Sequence, residues 1–253
     1  MTRTTQKILR GLALPVGLLG LWQLSASLGW TDVRFLPPLD EVGGTFLREL
    51  GSGGLATNIG ASLGRNLAGF ALGAGLGLAF GTATGLSRPF DRLFGPSFHA
   101  LKQIALLAWV PLISMWFGFG ETAKVAFIAL GAFIPVALNT HEGMRSASAQ
   151  LVEVGTALRF SRAQFLRKLF LPSALPSIAT GLQLGLIYSW LGTIGAEYFM
   201  AVGPGIGGLI IAGRERFEMD LVMVGVVLLG VIGFALNALA TAATNRLLVW
   251  RTA

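Results

Sequence analysis

The chain has 253 residues, 53% of them hydrophobic and only 12% charged, with a mean hydropathy of +0.69. A soluble domain is about one quarter charged, so the composition argues against a water-soluble globule. The formal charge of +7 is scattered between apolar runs, which excludes a contiguous nucleic-acid patch, and with no cysteine there is neither a disulfide framework nor thiolate chemistry.

A charge at the bilayer centre costs about 3 kcal/mol, and about 20 apolar residues are needed to cross, so charge-free windows locate the spans. Arg3, Lys7 and Arg10 precede an apolar run that reaches Ser25-Ala26-Ser27, a layout that imitates a secretory signal. The uncharged stretch from Gly11 to Thr31 is longer than a signal core and further spans follow, so an uncleaved first span is expected over Gly11 to Gly29. Trp30 to Thr57 is polar and broken by Pro37-Pro38, and reads as a loop with a short surface helix. Span two is expected within Asn66 to Ser87, span three within Gln103 to Gly120 and span four within Val125 to Thr140. Span five is expected within Ser177 to Ala196 and span six within Leu221 to Asn245. Span two carries Gly69, Gly73, Gly77, Gly81 and Gly85, which stack on one helical face. They predict a groove for close helix approach, within the subunit or across a dimer.

Between spans four and five lies a polar stretch, Leu151 to Pro176. Leu151 to Phe160 reads as a short helix, with Val154, Ala157 and Leu158 on one side and Glu153 beside them. Ser161 reads as a cap for a second helix to Phe170, whose apolar side holds Phe165, Leu169 and Phe170. Arg162, Arg167 and Lys168 lie elsewhere on that helix, and Pro172 and Pro176 end the helical pattern. The residues alone also fit an amphipathic helix held to anionic lipid by its arginines. Six spans put both termini on one side. Placing that side inside puts most of the 19 basic residues in the cytoplasm, with only Asp91, Glu142 and Glu153 of the 12 acidic ones.

Glu153, followed by Leu169 and by Leu171-Pro172, resembles the cytoplasmic coupling loop of permeases from bacterial ABC importers. That family has Glu-Ala-Ala, then Gly, then Ile-x-Leu-Pro. Here Val154 and Gly155 replace the alanines and Arg159 the glycine, so Arg159 must take a positive-φ corner or shift it. Leu36-Pro37-Pro38, Ser62-Leu63-Gly64-Arg65, Ala108-Trp109-Val110-Pro111-Leu112, Trp116 to Glu121, Asn139-Thr140, Gly181-Leu182-Gln183, Ala196-Glu197 and Gly205-Ile206-Gly207 extend the similarity over nearly the whole chain. They match the branch serving sulfonate, taurine, nitrate and related small anions.

The resemblance implies an all-α integral membrane protein of about six transmembrane helices, the type I ABC importer permease fold. It implies one permease domain over residues 1–253, with the coupling loop at 151–172. It further implies a bacterial inner-membrane location with both termini cytoplasmic, and a second permease copy as a homodimer partner. The other implied partners are a cytoplasmic ABC ATPase dimer carrying ATP and Mg, and a periplasmic or lipid-anchored solute-binding protein. Glu153, Val154, Gly155, Ala157, Leu158, Arg159, Leu171 and Pro172 would couple the chain to that ATPase, with Glu153 orienting the helix and Leu171-Pro172 fixing the return into span five.

No cofactor, metal or catalytic group is expected in this chain, which lacks a P-loop and so is not itself the ATPase. His99 and His141 are too few for a metal site. Gly203 to Gly208 spells G-x-G-x-x-G with Asp220 beyond, but follows a span rather than a strand, and reads as a tight external turn or a gate-side loop. Glu197 is the one lone charge at the end of an apolar window. It reads as an interfacial group at the outer end of span five, or as a gate or helix-pairing residue. Trp109, Trp116 and Tyr188 are candidates for the pathway or for interfacial anchors. The competing class is an ion-driven secondary transporter, for which Glu197 would be the ion site; a membrane-embedded enzyme lacks a convergent set of groups.

Overall fold

A computed structural model describes residues 3–247, with side chains from 14 to 246, and every regular element among them is helical. The elements are α1 (Arg3–Ser27), α2 (Leu39–Gly51), α3 (Gly54–Leu86), α4 (Arg88–Leu101), a 3₁₀ turn (Leu106–Trp109), α5 (Val110–Phe117) and α6 (Glu121–Met144). They continue with α7 (Ala149–Ala157), α8 (Arg162–Phe165), a π-helical turn (Leu166–Phe170), α9 (Leu171–Phe199), α10 (Ile206–Glu215) and α11 (Met219–Leu247). Helices α3, α6, α9 with its lead-in from Arg162, and α11 are long and apolar enough to cross a membrane.

The third expected span is not a straight helix. Helix α4 and the Leu106–Phe117 segment meet the length and composition test only together, and they are bent by 98°. Pro111 has no N–H for the Leu107 carbonyl, and Gly118, at φ 76°, stops α5 after one short stretch. Eight residues rise only about 12 Å, well short of a bilayer core. The bent pair makes a fifth candidate span. Helix α1, 25 residues long, has the length of a sixth, although the part of the expected first span before Leu14 lies outside the described side chains. Arg251, one of the basic residues that the positive-inside rule assigns to the cytoplasm, lies outside the described residues.

The helices run on past the charges that set the expected span edges. Helix α3 begins at Gly54, so Arg65 and Asn66 sit buried inside it rather than at its border. Helix α6 begins at Glu121, and Lys124 is 1% exposed. The prolines of the polar stretch also fail to break the chain. Pro172 falls in the first turn of α9 and Pro176 lies inside it, while the π-helical turn, with Leu171 N–H bonded back to Leu166 O, absorbs the mismatch.

The five glycines of α3 face α6, one after another. A Cβ on Gly69 would strike Ile128, at 2.5 Å from its Cγ2; on Gly73, the Ala129 carbonyl oxygen; on Gly77, Val136 at 2.9 Å. On Gly81 it would meet the Ala137 carbonyl at 2.5 Å, and on Gly85 the Met144 Cβ at 2.6 Å. The groove is therefore an intrachain seam. Across α6 the roles reverse: Gly143 admits Ser177 and Ala174, while Gly181 and Gly185 of α9 admit Asn139 and Val136. Helix α6 is thus the centre of a three-helix slab whose backbones nearly touch, as dispersion and small residues require where lipid removes the hydrophobic drive. Gln183 reaches from α9 to Asn237 and Thr241 of α11, and Thr45 of α2 donates to Asp220 at the start of α11.

Replacing Gly73 by Ala should lower the thermal unfolding midpoint of the detergent-solubilised protein, at a cost of about 1–3 kcal/mol for forcing the seam apart. Gly75, two residues on with nothing within 4 Å of its Cβ position, is the control: Gly75→Ala should leave the midpoint unchanged or slightly raised.

Candidate functional site

Polar side chains gather at the two ends of this slab. At one end, α7 and α8 hang between α6 and α9. Ser148 caps α7 through the Leu151 N–H, and Ser161 and Gln164 form a reciprocal capping box on α8. The corner between them is taken by Arg159 at φ 53°, so the arginine itself adopts the left-handed conformation that a glycine would accept freely. Gly155 serves a different need. It is buried, and a Cβ there would lie 2.8 Å from Cε1 of Phe165, so its missing side chain lets α7 sit on the ring. Phe165 packs edge-on against Phe160 and stacks on Phe170, and Leu169 is buried below.

That packing uses one face of the loop and leaves the other bare. Val154 is 55% and Leu158 63% exposed, with Ala157 and Glu153 also exposed beside them. Leu171 and Pro172 are exposed at the return into α9. The expected helix to Phe160 stops at Ala157, because Leu158 already begins the corner. Behind the loop, Arg145 binds Asp91 at 2.8 Å and His141 binds Thr84 at 3.0 Å, tying α6 to α4 and α3. Among the described residues no group of three potential metal ligands occurs.

At the opposite end the reading of Glu197 as an interfacial lone charge is overturned. Its side chain is 2% exposed and fully partnered. Oε1 accepts from Arg65 Nη1 at 2.7 Å and from Ser62 Oγ at 2.7 Å; Oε2 accepts from the Gly207 N–H at 2.8 Å. Arg65 spends its other edge on Glu121, through Nε at 2.5 Å and Nη2 at 2.7 Å. Lys124, one turn into α6, donates to the Val202 carbonyl and lies 3.6 Å from Glu121 Oε1. Two cations thus meet two carboxylates where α6 begins and α9 ends, against the interior of α3.

The G-x-G-x-x-G segment closes over this cluster. The Gly205 N–H donates to Asn58 Oδ1 at 2.7 Å and the Ile206 N–H to Ser62 Oγ at 3.0 Å. A Cβ on Gly205 would lie 2.7 Å from the Glu197 carboxylate, and one on Gly207 2.6 Å from Glu197 Cβ. These glycines therefore admit a protein carboxylate at the start of α10, where the N–H groups and helix dipole favour it. Below, Asn66 donates to Ser189 and Thr193, continuing the polar seam between α3 and α9. Sequence reasoning missed Ser62, Arg65, Glu121 and Lys124 as a unit because they lie on two helices far from Glu197 along the chain. The available signal was the coincidence of opposite charges at the three span ends.

Of the aromatic pathway candidates, Trp109 packs against the Ile113–Phe127 cluster, while Trp116 and Tyr188 are 63% and 49% exposed on the outside of the bundle. None is among the partners of Glu197.

A multi-pass helical bundle, with a short two-helix loop set between its central spans, is the fold of an ABC importer permease. Over 79% of this chain and 96% of that one, it superposes on a chain of an amino acid ABC transporter with a TM-score of 0.64 at 16% identity. Over 74% and 95% it superposes on a chain of the inward-facing MetNI methionine ABC transporter at 0.58 and 20%. Residues 56–249 match the family of binding-protein-dependent transport system inner membrane components, and the chain belongs to that family. It is 36% identical to a Bacillus subtilis permease named for aliphatic sulfonates transport, over 96% of this chain and 88% of that one. An Escherichia coli permease named for the same transport is 40% identical over 87% and 83%, and the Escherichia coli taurine transport system permease is 32% identical over 92% and 86%.

Two stability outcomes follow from these geometries. Glu197→Ala leaves the buried Nη1 of Arg65 without its carboxylate and should cost about 3–5 kcal/mol, whereas Asp32→Ala, which breaks an exposed pair with Arg34, should leave the unfolding midpoint where it was. Arg159→Gly should stabilise the corner by up to about 1 kcal/mol, read as slower amide exchange across residues 155–165, and Arg159→Val should do the reverse.

Proposed function

We propose that this permease imports a small oxyanion of the sulfonate and taurine class, driven by a separate ATPase that docks on the α7–α8 loop. The observation that carries the reading is the bare apolar ledge of Val154, Ala157 and Leu158, with Glu153 beside it, on a loop whose other face is packed. An apolar ledge that a rigid backing holds out of the bundle suits a protein groove. Placed by the positive-inside rule, the loop and both termini are cytoplasmic in a bacterial inner membrane. Two permease copies, as a homodimer, would sit on two ATPases that carry the ATP and Mg, and a solute-binding protein would deliver the anion to the Glu197 end. Closure of the ATPases would push the paired loops and turn the pathway outward. The substrate class is supported by the sulfonate and taurine permeases it is similar to.

A secondary transporter needs an intramembrane group free to exchange an ion. Glu197 was the candidate, and its carboxylate is already held by Arg65, Ser62 and Gly207, which favours the ATPase-driven reading.

Purification of the tagged chain from its own membranes should bring down one ATP-binding protein. Leu158→Asp, placed on the exposed ledge, should abolish that recovery and ATP-driven sulfonate uptake together while leaving membrane insertion unchanged. Undiminished uptake by Leu158→Asp would sink the docking assignment.

A further inference from the structure

We propose that Arg65 and Lys124 form a binding site for a small oxyanion, a sulfonate or a carboxylate, and that in this structure the chain's own Glu121 carboxylate fills it. The two acids around Arg65 are held very differently. Glu197 is buried and takes bonds from three separate groups. Glu121 is 61% exposed at the side chain, and its partners are the same two cations, Arg65 and Lys124, themselves 5% and 2% exposed.

Two buried cations thus hold a solvent-facing carboxylate. The edge of Arg65 presented to Glu121 is the Nε–Nη2 fork, at 2.5 and 2.7 Å, which matches any planar or tetrahedral oxyanion with two oxygens. A sulfonate places a third oxygen beside the other two, where Lys124 lies 3.6 Å from Glu121 Oε1. The charge balance also selects a monoanion. Glu197 compensates one of the two cations permanently, so withdrawal of Glu121 leaves one net positive charge in a shielded position.

The site faces solvent through Glu121, and Gly203 flanks it closely: a Cβ there would be in van der Waals contact, 3.9 Å from Glu121 Oε1 and 4.0 Å from Arg65 Nη2. Glu121 therefore acts as a tethered competitor, holding the site neutral until an external anion takes its place. If Glu121 is seated at least about nine-tenths of the time, apparent affinity for the external anion falls at least tenfold.

The inference rests on the reading that the cargo is a small anion, and its test separates the two. The full-length chain in nanodiscs would be titrated calorimetrically with methanesulfonate, and with dimethyl sulfone as its neutral counterpart. Glu121→Gln, an exposed isosteric change, should bind methanesulfonate at least tenfold more tightly than the parent, and neither should bind dimethyl sulfone. Glu121→Gln combined with Lys124→Met should lose that gain, with the unfolding midpoint recorded for each variant. Equal affinity in Glu121→Gln and the parent, or binding of dimethyl sulfone as strong as that of methanesulfonate, would overturn the site. Tight binding to Glu121→Gln, with no sulfonate uptake by the assembled transporter, would keep the site and overturn the cargo. Uptake by the transporter without the gain in Glu121→Gln would keep the cargo and overturn the site.

Discussion

The buried guanidinium of Arg65 is the constraint that organises one whole end of the molecule. A charge taken out of water is costly unless partnered on every side, and Arg65 meets that demand only by gathering Glu121 from α6 and Glu197 from α9. The start of α6 and the end of α9 are thereby fixed to α3. The carboxylate of Glu197 in turn dictates the connection that follows α9, because Gly205 and Gly207 must pass within contact distance of it and Gly207 must donate to it. The glycine pattern after span five is thus a consequence of a charge in the middle of α3.

The glycine seam supplies the complementary constraint along the length of the slab. Close approach of α3 to α6 brings backbone against side chain at five successive levels, from Gly69 to Gly85. It leaves α6 little freedom to slide, since each level would have to clear a methyl or a carbonyl. Relative motion in such a slab is confined to tilting about its ends. Helix α9 runs without a break from the π-helical turn beside the α7–α8 loop to Glu197 in the charge cluster. A push on the loop and a change at the cluster therefore act on the two ends of one rod.

Most of the fold was legible where local chemistry decides it. The glycine face of α3, the cap at Ser161, the positive-φ demand at Arg159 and the apolar ledge of α7 all follow from spacing and residue type, and the structure has each of them. The charge cluster was the main thing missed. Charges were used to mark where each span stops, whereas the helices continue through Arg65, Lys124 and Glu197, and charges from distant segments neutralise one another there. Pairing across 132 residues of sequence, as between Arg65 and Glu197, leaves no periodic trace in either segment. The broken third span escaped notice for a different reason: hydropathy counts Pro111 and Gly118 as ordinary members of an apolar window, although Pro111 sits in the first turn of α5 and Gly118 ends it.

The two prolines after the polar stretch show how such a conflict is resolved when continuity is needed. Pro172 lacks the N–H that would bond Lys168, and its ring crowds that carbonyl in a regular α-helix. The chain could stop there and restart, losing the straight connection into α9. Instead the turn Leu166–Phe170 widens to π geometry, and the Leu171 N–H bonds Leu166 O one residue further back. The extra residue also turns Leu169 inward beneath the Phe165–Phe170 stack. The widened turn thus keeps the loop rigidly joined to α9 while the Val154–Leu158 face stays clear of the bundle. A flexible hinge at the same place would let a push on that face dissipate before it reached Glu197.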